Sequence, residues 1–277
     1  MPSYTSFLSS AIGAFLLSSP ALAFSEQCST FEYPLSCHNK SAVANTCCFN
    51  YPGGNLLQTQ FWDTDPATGP ADHWTVHGLW PDECNGSYQQ YCDETRQYKN
   101  ITQILEHFNR YDLLDYMSVY WKDDGGNDES FWEHEWGKHG TCISTFDTSC
   151  YTDYVPTQEV VDFFQKTLQL FSALDTYTFL NDAGIVPSTT KTYTYAEIRK
   201  ALVQDRHVNA TIECTGANST ELDEVYYYYN VYGSAQDGTY IPAQPDTNSS
   251  SCPMTGIQYL PKNLTSTPVQ NGTYKFI

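Results

Sequence analysis

Residues 73–80 read HWTVHGLW, and this stretch predicts one of the strands on which the fold class depends. Polar and apolar side chains alternate along it, a pattern typical of a β-strand with one buried face. The period of two places Trp74 and Val76 on one face and Thr75 with His77 on the other. Residues 225–232, VYYYYNVY, predict another strand, because tyrosine and valine favour extended backbone.

The fold class depends also on the predicted helices. Apolar residues recur at three- and four-residue steps over 100–117 and again over 156–171. Thr194 and Glu197 have the form of a capping box, which predicts a third helix extending to residue 202. Strands and helices are interspersed without regular β-α-β alternation. We therefore expect an α+β protein, with a central and mostly antiparallel sheet packed against several helices.

The chain of 277 residues has no internal repeat and no long linker, which indicates one mature domain. Residues 1–23, MPSYTSFLSSAIGAFLLSSPALA, are typical of a secretory signal peptide with a small-residue cleavage site. The mature domain then covers 24–277. Its segment 28–81 is predicted to be loop-rich apart from the strand above, and its tail from about residue 253 to be loop-like.

No stretch approaches the length of a transmembrane helix, so the sequence predicts a soluble, exported protein with no membrane partner. Such a protein is either secreted or delivered to a vacuolar or lysosomal lumen. Ten cysteines agree with export, because an even count in an exported chain implies disulfides. Eight glycosylation sequons begin at Asn39, Asn85, Asn100, Asn209, Asn218, Asn248, Asn263 and Asn271.

The charge balance excludes one class of function. The chain carries 13 basic and 32 acidic residues, a net charge of −19 at pH 7. A protein that holds nucleic acid electrostatically at neutral pH carries basic stripes instead. A strongly acidic chain fits acidic surroundings, where carboxylates are partly neutralised and self-repulsion falls.

Residues 131–142, FWEHEWGKHGTC, concentrate two histidines, two glutamates and a lysine in a chain that is poor in positive charge. We expect a helix over 131–139 that ends at Gly140 in the usual left-handed role of glycine. Residues four apart then share a face, which stacks Glu135 with His139 and His134 with Lys138. The two tryptophans of the segment lie on a neighbouring stripe and can anchor the helix in the core.

Three interpretations of this segment compete. A zinc site resembles the start of the zinc-protease motif, but that motif needs histidines four residues apart. His134 and His139 are five apart, roughly 140° around a helix. A solvated polar face is the ordinary alternative, although two histidines and a lysine within six positions are rare in this composition. The third interpretation is acid–base chemistry on an anion, with His77 of the first segment as the second titrating group.

The two segments together resemble the signatures of the ribonuclease T2 family of secreted acid ribonucleases, most closely its fungal members. Residues 74–81 match the signature WxxHGLWP, and residues 131–142 match FWxHEWxKHGTC. The two signatures stand in the right order, about fifty residues apart. The resemblance extends over roughly residues 28–252, including the cysteine layout.

The resemblance implies a role for each residue of the site. His139 takes the proton from the ribose 2′-hydroxyl, and His77 protonates the departing 5′-oxygen. Glu135 and Lys138 stabilise the pentacovalent phosphate, and His134 helps to hold it. The implied substrate is single-stranded RNA, with no DNA, no metal and no other cofactor, and the implied protein is a monomer. Residue types alone do not say which histidine is the acid and which is the base.

Base pockets also follow from the resemblance. The base 5′ to the cut is expected to stack on and bond to Trp80, Asp82 and Tyr88, although Trp80 can also be read as a core residue. Stacking tolerates any base, so low base specificity is expected. The base 3′ to the cut is expected to contact Phe131 and Gln60. The run from Lys122 to Gly125 departs from the Pro-Ser-Asn-Gln of fungal relatives, which leaves the preference at this position open.

The cysteine layout of the fungal members implies five disulfides. Sequence alone leaves on the order of a thousand pairings. The resemblance implies the pairs Cys28–Cys48, Cys37–Cys84, Cys47–Cys150, Cys92–Cys142 and Cys214–Cys252. The expected function is therefore an acid endoribonuclease that forms 2′,3′-cyclic phosphate ends and hydrolyses them to 3′-phosphates. The alternative is a catalytically silent storage or binding glycoprotein of the same fold.

Overall fold

The computed structural model describes residues 28, 33–39, 43, 45–204, 206–245 and 250–263. The expected signal peptide and the sequons at Asn248 and Asn271 lie outside the described residues. The strands are β1 Asn55–Phe61, β2 Thr75–Asp82, β3 Thr192–Tyr193, β4 Ala210–Thr215, β5 Glu221–Tyr232, β6 Thr239–Pro242 and β7 Ile257–Gln258. The helices are α1 Ile101–His107, α2 Tyr111–Tyr120, α3 Asp128–Lys138, α4 Gln158–Ser172, α5 Thr176–Asp182 and α6 Tyr195–Val203.

One seven-stranded sheet organises the chain, in the order β2-β1-β5-β7-β3, with β4 and β6 also paired to β5. Every pairing is antiparallel except the short contact between β5 and β7. The expected α+β class and the mostly antiparallel sheet are confirmed. The predicted strands at 73–80 and 225–232 become β2 and β5.

β1 lies in a segment that the sequence predicts to be loop-rich, and that prediction is wrong here. All of β1 except Phe61 is buried, between β2 on one edge and β5 on the other. Both faces of the strand are covered, so its side chains do not alternate clearly between polar and apolar. Without that alternation, periodicity does not reveal a strand.

The helices cover one face of the sheet and bury two apolar clusters there. The first cluster joins helices α1, α2, α3 and α4 with Leu56 of β1 and with Val76 and Leu79 of β2. The second joins α5 and α6 with Val225 and Tyr227 of β5. Tyr226 and Tyr228 alternate to the opposite face, where they pack with Leu57 and Trp80. This opposite face of β1, β2 and β5 carries the candidate site.

Of the four predicted helices, those after Pro156 and after Thr194 are found nearly as expected. α4 begins two residues after Pro156, and α6 has the predicted capping box, in which Thr194 and Glu197 bond each other's backbone N–H. The single helix expected over 100–117 is wrong. It is divided into α1 and α2 around Asn109, whose φ of 57° is left-handed. The apolar period continues across the break, which is why the pattern conceals it.

The described part of the tail, up to residue 263, is more ordered than its composition predicts. β7 pairs with β3 and β5, and Tyr259 is fully buried. The indole N–H of Trp62 donates to the carbonyl of Leu260 at 2.7 Å. Lys262 is buried and donates from Nζ to the carbonyls of Thr68 and His73, each at 2.8 Å. Tertiary contacts, rather than local propensity, fix this segment.

All five disulfide pairings that the resemblance implies are confirmed. Cys28 joins Cys48, Cys37 joins Cys84, Cys47 joins Cys150, Cys92 joins Cys142, and Cys214 joins Cys252. Among the described residues, no helix combines the length and the apolar character needed to cross a membrane. Of the sequons within the described ranges, Asn85, Asn100, Asn218 and Asn263 are exposed, while Asn39 and Asn209 are half-buried.

Candidate active site

Helix α3 positions most of the charged side chains of the site. Its N-terminus is capped by Asn127, whose side chain accepts from the N–H of Ser130, and Asp128 and Glu129 favour the positive end of the helix dipole. Trp132 and Trp136 are buried and donate to the carbonyls of Trp121 and Arg96 at 3.0 and 2.6 Å. The predicted anchoring by tryptophans is confirmed, and it fixes the rotation of the helix.

The C-terminal end of α3 differs from the prediction. The helix ends at Lys138, and His139 is its C-cap residue with φ −110° and ψ −49°. Gly140 begins a short 3₁₀ turn and does not adopt the expected left-handed conformation. A Cβ on Gly140 would lie 2.4 Å from Cε3 of Trp136. Glycine is therefore needed at this position for close packing and not for its backbone freedom.

A β-bulge in β2 aims His77 into the site. Gly78 pairs with Thr59 and Val76 pairs with Gln60, so His77 is the extra residue between them. Bulges re-aim side chains and are common beside active sites. Because of this one, His77 and Trp80 lie on the same face although they are three residues apart, and their rings meet edge to face at 4.5 Å.

Gly78 lies against the carboxyl group of α3. A Cβ at this position would lie 2.1 Å from Oε2 of Glu135 and 2.8 Å from Nε1 of Trp80. Any side chain at residue 78 would occupy the space that Glu135 fills. The glycine of the HGLWP signature therefore allows strand β2 and helix α3 to approach each other.

His77 is held by a hydrogen bond at Nδ1 and by stacking on one ring face. Its Nδ1 lies 2.6 Å from Oε1 of Glu224, and its Nε2 lies 3.7 Å from Oε1 of Glu135. Phe61 of β1 stacks on the imidazole at 3.8 Å between ring centroids. Both nitrogens face carboxylate acceptors, so the ring can carry an N–H on each.

Glu135 is the buried centre of the site, with no exposed surface. Its Oε2 accepts from the indole N–H of Trp80 at 3.0 Å. Among the described residues, its Oε1 has no hydrogen-bond partner, although the atom is buried. Burial raises the pKa of Glu135 to about 7, since a charged carboxylate is poorly solvated there. At acid pH this carboxyl is neutral and can donate a hydrogen bond.

His139 lies beside Glu135 and is only 4% exposed. Its imidazole stacks on Trp80, with centroids 4.8 Å apart and planes 13° from parallel. Within the described part of the chain, its Nε2 has no hydrogen-bond partner. Burial, and then the neighbouring charge of Lys138, lower the pKa of His139 to about 2. The ring therefore stays neutral in acid and can accept a proton.

His134 lies at the exposed side of the site. Its Nε2 is 3.9 Å from Oε1 of Glu135, and its Nδ1 is 3.3 Å from the hydroxyl of Tyr91. Partial burial, and then the charge of Lys138, lower the pKa of His134. Lys138 is half-buried and lines the same cavity as His139. His134 and Lys138 thus bring basic groups to the rim of the site.

The spacing argument against a metal is wrong in its simple form. One ligand atom each of His134, Glu135 and His139 lie within 4.8 Å of one another. A regular helix through residue 139 would separate the two rings, whereas the helix ends at Lys138 and His139 is its C-cap residue, with a φ of −110°. The three side chains could therefore hold an ion, and a chelation experiment has to decide between a metal and an acid–base site.

The predicted pocket for the base 5′ to the cut is a cavity of about 570 Å³ beside His139. Trp80, Asp82 and Tyr88 all line it, so the structure brings the three predicted residues together. Tyr88 is 60% exposed, which leaves its ring open to solvent. Trp80 is half-buried and serves the site as well as the pocket, so the core interpretation of this residue does not describe it fully.

The predicted contacts for the base 3′ to the cut are only partly brought together. Phe131 lines a second cavity, of about 530 Å³, with the acidic side chains of Asp63, Asp65 and Asp124. Gln60 is fully buried and bonds Leu174 and Thr176, so the structure does not bring it to this cavity. Strand alternation explains the difference, because Phe61 is the residue that β1 presents on the site face.

Sequence reasoning missed Phe61 and Glu224, although both contact His77. Glu224 is 147 residues away from His77 along the chain and belongs to neither signature. The pairing of Phe61 with Glu224 across β1 and β5 brings both to His77. The sequence signal for Glu224 was an acidic residue directly before the tyrosine run of β5, and such a residue is not specific to an active site.

The fold and the site define a class of protein: a disulfide-bonded α+β enzyme with two histidines that converge on a buried carboxyl. Residues 53–243 match the Ribonuclease T2 family. The chain therefore belongs to the ribonuclease T2 family.

Individual relatives agree with this assignment. The chain is 57% identical to Ribonuclease Trv of Hypocrea rufa over 83% of this chain and 96% of that protein. It is 54% identical to the Ribonuclease T2-like protein of Aspergillus fumigatus over 89% of this chain and 61% of that protein. The chain thus spans about three fifths of the length of that relative, and a similar share of one from Emericella nidulans.

A solved structure matches the fold closely. The crystal structure of Actibind, described as a T2 ribonuclease and antitumorigenic agent, superposes with a TM-score of 0.81 at 52% identity. The match covers 87% of this chain and 100% of that one. Together with the named ribonucleases, this similarity indicates an endoribonuclease.

Proposed function

We propose that this protein is a secreted, metal-independent endoribonuclease that cleaves single-stranded RNA by transphosphorylation. The ribose 2′-oxygen attacks the phosphorus while the bond from phosphorus to the 5′-oxygen breaks, which leaves a 2′,3′-cyclic phosphate. Water then opens this ring to a 3′-phosphate. DNA lacks the 2′-hydroxyl and is not cut.

His139 is the proposed base of the first step. Its Nε2 is buried without a hydrogen-bond partner among the described residues, and its lowered pKa keeps it neutral in acid. It can therefore take the proton of the 2′-hydroxyl under conditions that protonate an ordinary histidine. The stacking on Trp80 holds the ring in place beside the cavity that is proposed to take the base.

Glu135, Lys138 and His134 are proposed to stabilise the pentacovalent phosphate. An ionised carboxylate would repel this anion, but the raised pKa of Glu135 makes it a neutral donor in acid. Its Oε1 lies 3.7 Å from Nε2 of His77 and 3.9 Å from Nε2 of His134. Lys138 supplies positive charge, and exposed His134 can hold a phosphate oxygen at the rim.

His77 is the proposed acid. Its Nδ1 proton stays bonded to Glu224, and its Nε2, which faces Glu135, gives a proton to the departing 5′-oxygen. In the second step the roles reverse: His77 takes a proton from water, and His139 returns one to the 2′-oxygen. The 2′-hydroxyl is the nucleophile, so the first step needs no metal-bound water.

An acidic pH optimum follows from these protonation states. In moderate acid His139 remains neutral and Glu135 is protonated, so both are ready for their roles. The net charge of −19 at pH 7 also becomes less negative, which reduces repulsion of the polyanionic substrate.

Low base specificity is proposed on the basis of the aromatic lining of the first cavity, because stacking accepts every base. Cleavage rates for all sixteen dinucleotides across pH test this proposal. Rates that differ by more than about a hundredfold with the 5′ base would contradict it.

The convergence of His77 and His139 on Glu135 carries the proposal, and a chelation experiment tests it. Purified protein should degrade RNA at about pH 4.5 with excess EDTA. His77→Ala and His139→Ala should each lose at least about a hundredfold in rate with unchanged melting temperatures. His73→Ala is the matched control, because its side chain lies at the surface, where it bonds Asp72 and contacts the ring of Tyr120. Intact RNA, or cleavage that EDTA abolishes, would contradict the metal-independent mechanism.

The same measurements separate the enzyme from a silent storage or binding glycoprotein. Such a protein would leave RNA intact with or without metal, while keeping its fold. Export as a monomer is proposed too. N-terminal sequencing of the secreted protein should find a start near residue 24, and gel filtration should give the mass of one chain.

A further inference from the structure

Glu224 is a carboxylate that bonds His77 but gives or takes no proton in any of the proposed catalytic steps. It lies directly before Val225 of the tyrosine-rich strand, and its side chain is only 13% exposed. Glu224 shares the site face of β5 with Tyr226 by regular alternation, and a second β-bulge, at Asp223, lies directly before it. Its Oε1 is 2.6 Å from Nδ1 of His77, and its Oε2 accepts from the hydroxyl of Tyr226.

We propose that Glu224 is a positioning residue for the general acid of the reaction. An ionised carboxylate is only an acceptor, so Nδ1 of His77 must carry the proton between them. The tautomer is then fixed, and Nε2 becomes the nitrogen that faces Glu135 and the leaving group. The inference rests on the proposed function, since it concerns the acid of that reaction.

The geometry explains why a carboxylate is needed in addition to packing. Phe61 covers one face of the imidazole and restricts its tilt, but stacking does not select a ring nitrogen. A 180° rotation of the ring about χ2 keeps the stacking but puts Cδ2 and Cε1 where Nδ1 and Nε2 lie, so neither nitrogen would face its partner. A directional acceptor at Nδ1 opposes this rotation, and Tyr226 keeps that acceptor in place.

His77 is surrounded by titratable groups from several elements. The carboxyls and hydroxyl of β5 and the loop after β1 face it from one side, and the groups of α3 and its C-cap face it from the other. They are Asp223, Glu224, Tyr226, Asp63, His134, Glu135 and His139. Among these described groups, Glu224 is the one that lies at hydrogen-bond distance from a ring nitrogen of His77.

The leaving group of the substrate provides the test. Glu224→Gln should slow cleavage of a dinucleoside monophosphate by about tenfold to a hundredfold in kcat, with little change in KM. A nucleoside 3′-(4-nitrophenyl phosphate) needs no proton on its leaving group. Its cleavage should fall by less than about threefold in the same variant.

Two further variants complete the experiment. Asp72→Asn breaks another pair of carboxylate and histidine, outside the site, and should leave both substrates unaffected. Glu224→Ala should regain part of its dinucleotide activity when formate is added, because a free carboxylate can bond Nδ1. Equal losses on both substrates without rescue would show a structural role and overturn the inference. A wild-type protein that cuts neither substrate would instead overturn the proposed function.

Discussion

At the scale of single residues, the site depends on which groups share a small space. Trp80 contacts three of the proposed catalytic residues: it stacks on His139, meets His77 edge to face and donates to Glu135. A tryptophan in a short signature can be read as core or as a base platform. Here Trp80 also holds the carboxyl of Glu135 and the rings of His77 and His139 in their relative positions.

The close approach at Gly78 leads to a specific prediction. Gly78→Ala places a methyl group where Oε2 of Glu135 lies, at 2.1 Å. We expect Glu135 to be displaced, with a stability loss of about 1–3 kcal/mol and a fall in kcat/KM of at least about tenfold. Steady-state kinetics and thermal unfolding measure the two effects.

A matched glycine serves as the control. A Cβ on Gly137 of α3 would meet nothing nearer than 3.8 Å. Gly137→Ala should keep activity and raise stability by about 0.5–1 kcal/mol, since alanine suits a helix better. Similar effects of the two substitutions would contradict the steric argument.

Replacement of Glu135 should change the pH dependence of the rate. The raised pKa of about 7 means that wild-type Glu135 loses its proton, and the ability to donate, as the pH passes through neutrality. Glu135→Gln remains a neutral donor at every pH. We expect lower activity in acid, but a smaller loss of relative rate from about pH 6 to about pH 8 than in the wild type. An unchanged alkaline limb in kcat/KM would show that Glu135 does not set it.

At the scale of elements, the site is formed between strand β2 and helix α3. The amphipathic patterns of α4 and α6 were predictable because each helix buries one face. The bulge at His77 was not, because it depends on the register between β1 and β2. The break at Asn109 and the strand β1 were not predicted either. The break lies within a continuous apolar period, and the strand is buried on both faces.

The Cys92–Cys142 disulfide fixes the segment after α3, and its removal should affect activity more than stability alone explains. It closes a separation of 50 residues, and Cys37–Cys84 closes one of 47. Loop entropy therefore predicts nearly equal stabilisation, about 4 kcal/mol each. Replacing Cys92 and Cys142 with alanine should also release the turn that follows His139.

The matched double variant of Cys37 and Cys84 serves as the comparison. Both double variants should melt at similarly reduced temperatures. Below those temperatures, only the loss of Cys92–Cys142 should lower kcat/KM for RNA substantially. Equal activity of the two variants would indicate that helix α3 holds His139 without the disulfide.

At the scale of the whole molecule, buried acids should make the fold more stable in moderate acid. Burial raises the pKa of Glu135, Asp162 and Asp223 to about 7 in the folded protein. Such a group binds its proton more tightly when folded, so stability is gained as the pH falls from about 7 to about 4. His139 acts oppositely, because its pKa is lowered by folding, but the carboxyls outnumber it.

We therefore expect a melting temperature several degrees higher at about pH 5 than at about pH 7.5. Below about pH 3 it should fall again, because folding lowers the pKa of Asp93 to about 2, chiefly through its bond from Thr95, and that stabilisation is lost on protonation. Asp162→Asn should flatten the rise without touching the site. Calorimetry from about pH 2 to about pH 8 measures the curve, and a melting temperature that rises from pH 5 to 7.5 would refute the prediction.

The sequence by itself determined the α+β class, the helices with strong one-sided periodicity and, through two signatures, the residues that line the site. Resemblance also supplied the disulfide pairs. Only the tertiary structure decided that Gln60 faces the core, that the tail joins the sheet, and that Glu224 meets His77. The physical reason is the range of the interactions. Periodicity reports how one segment is buried, whereas these contacts depend on the register of strands that are distant in the chain.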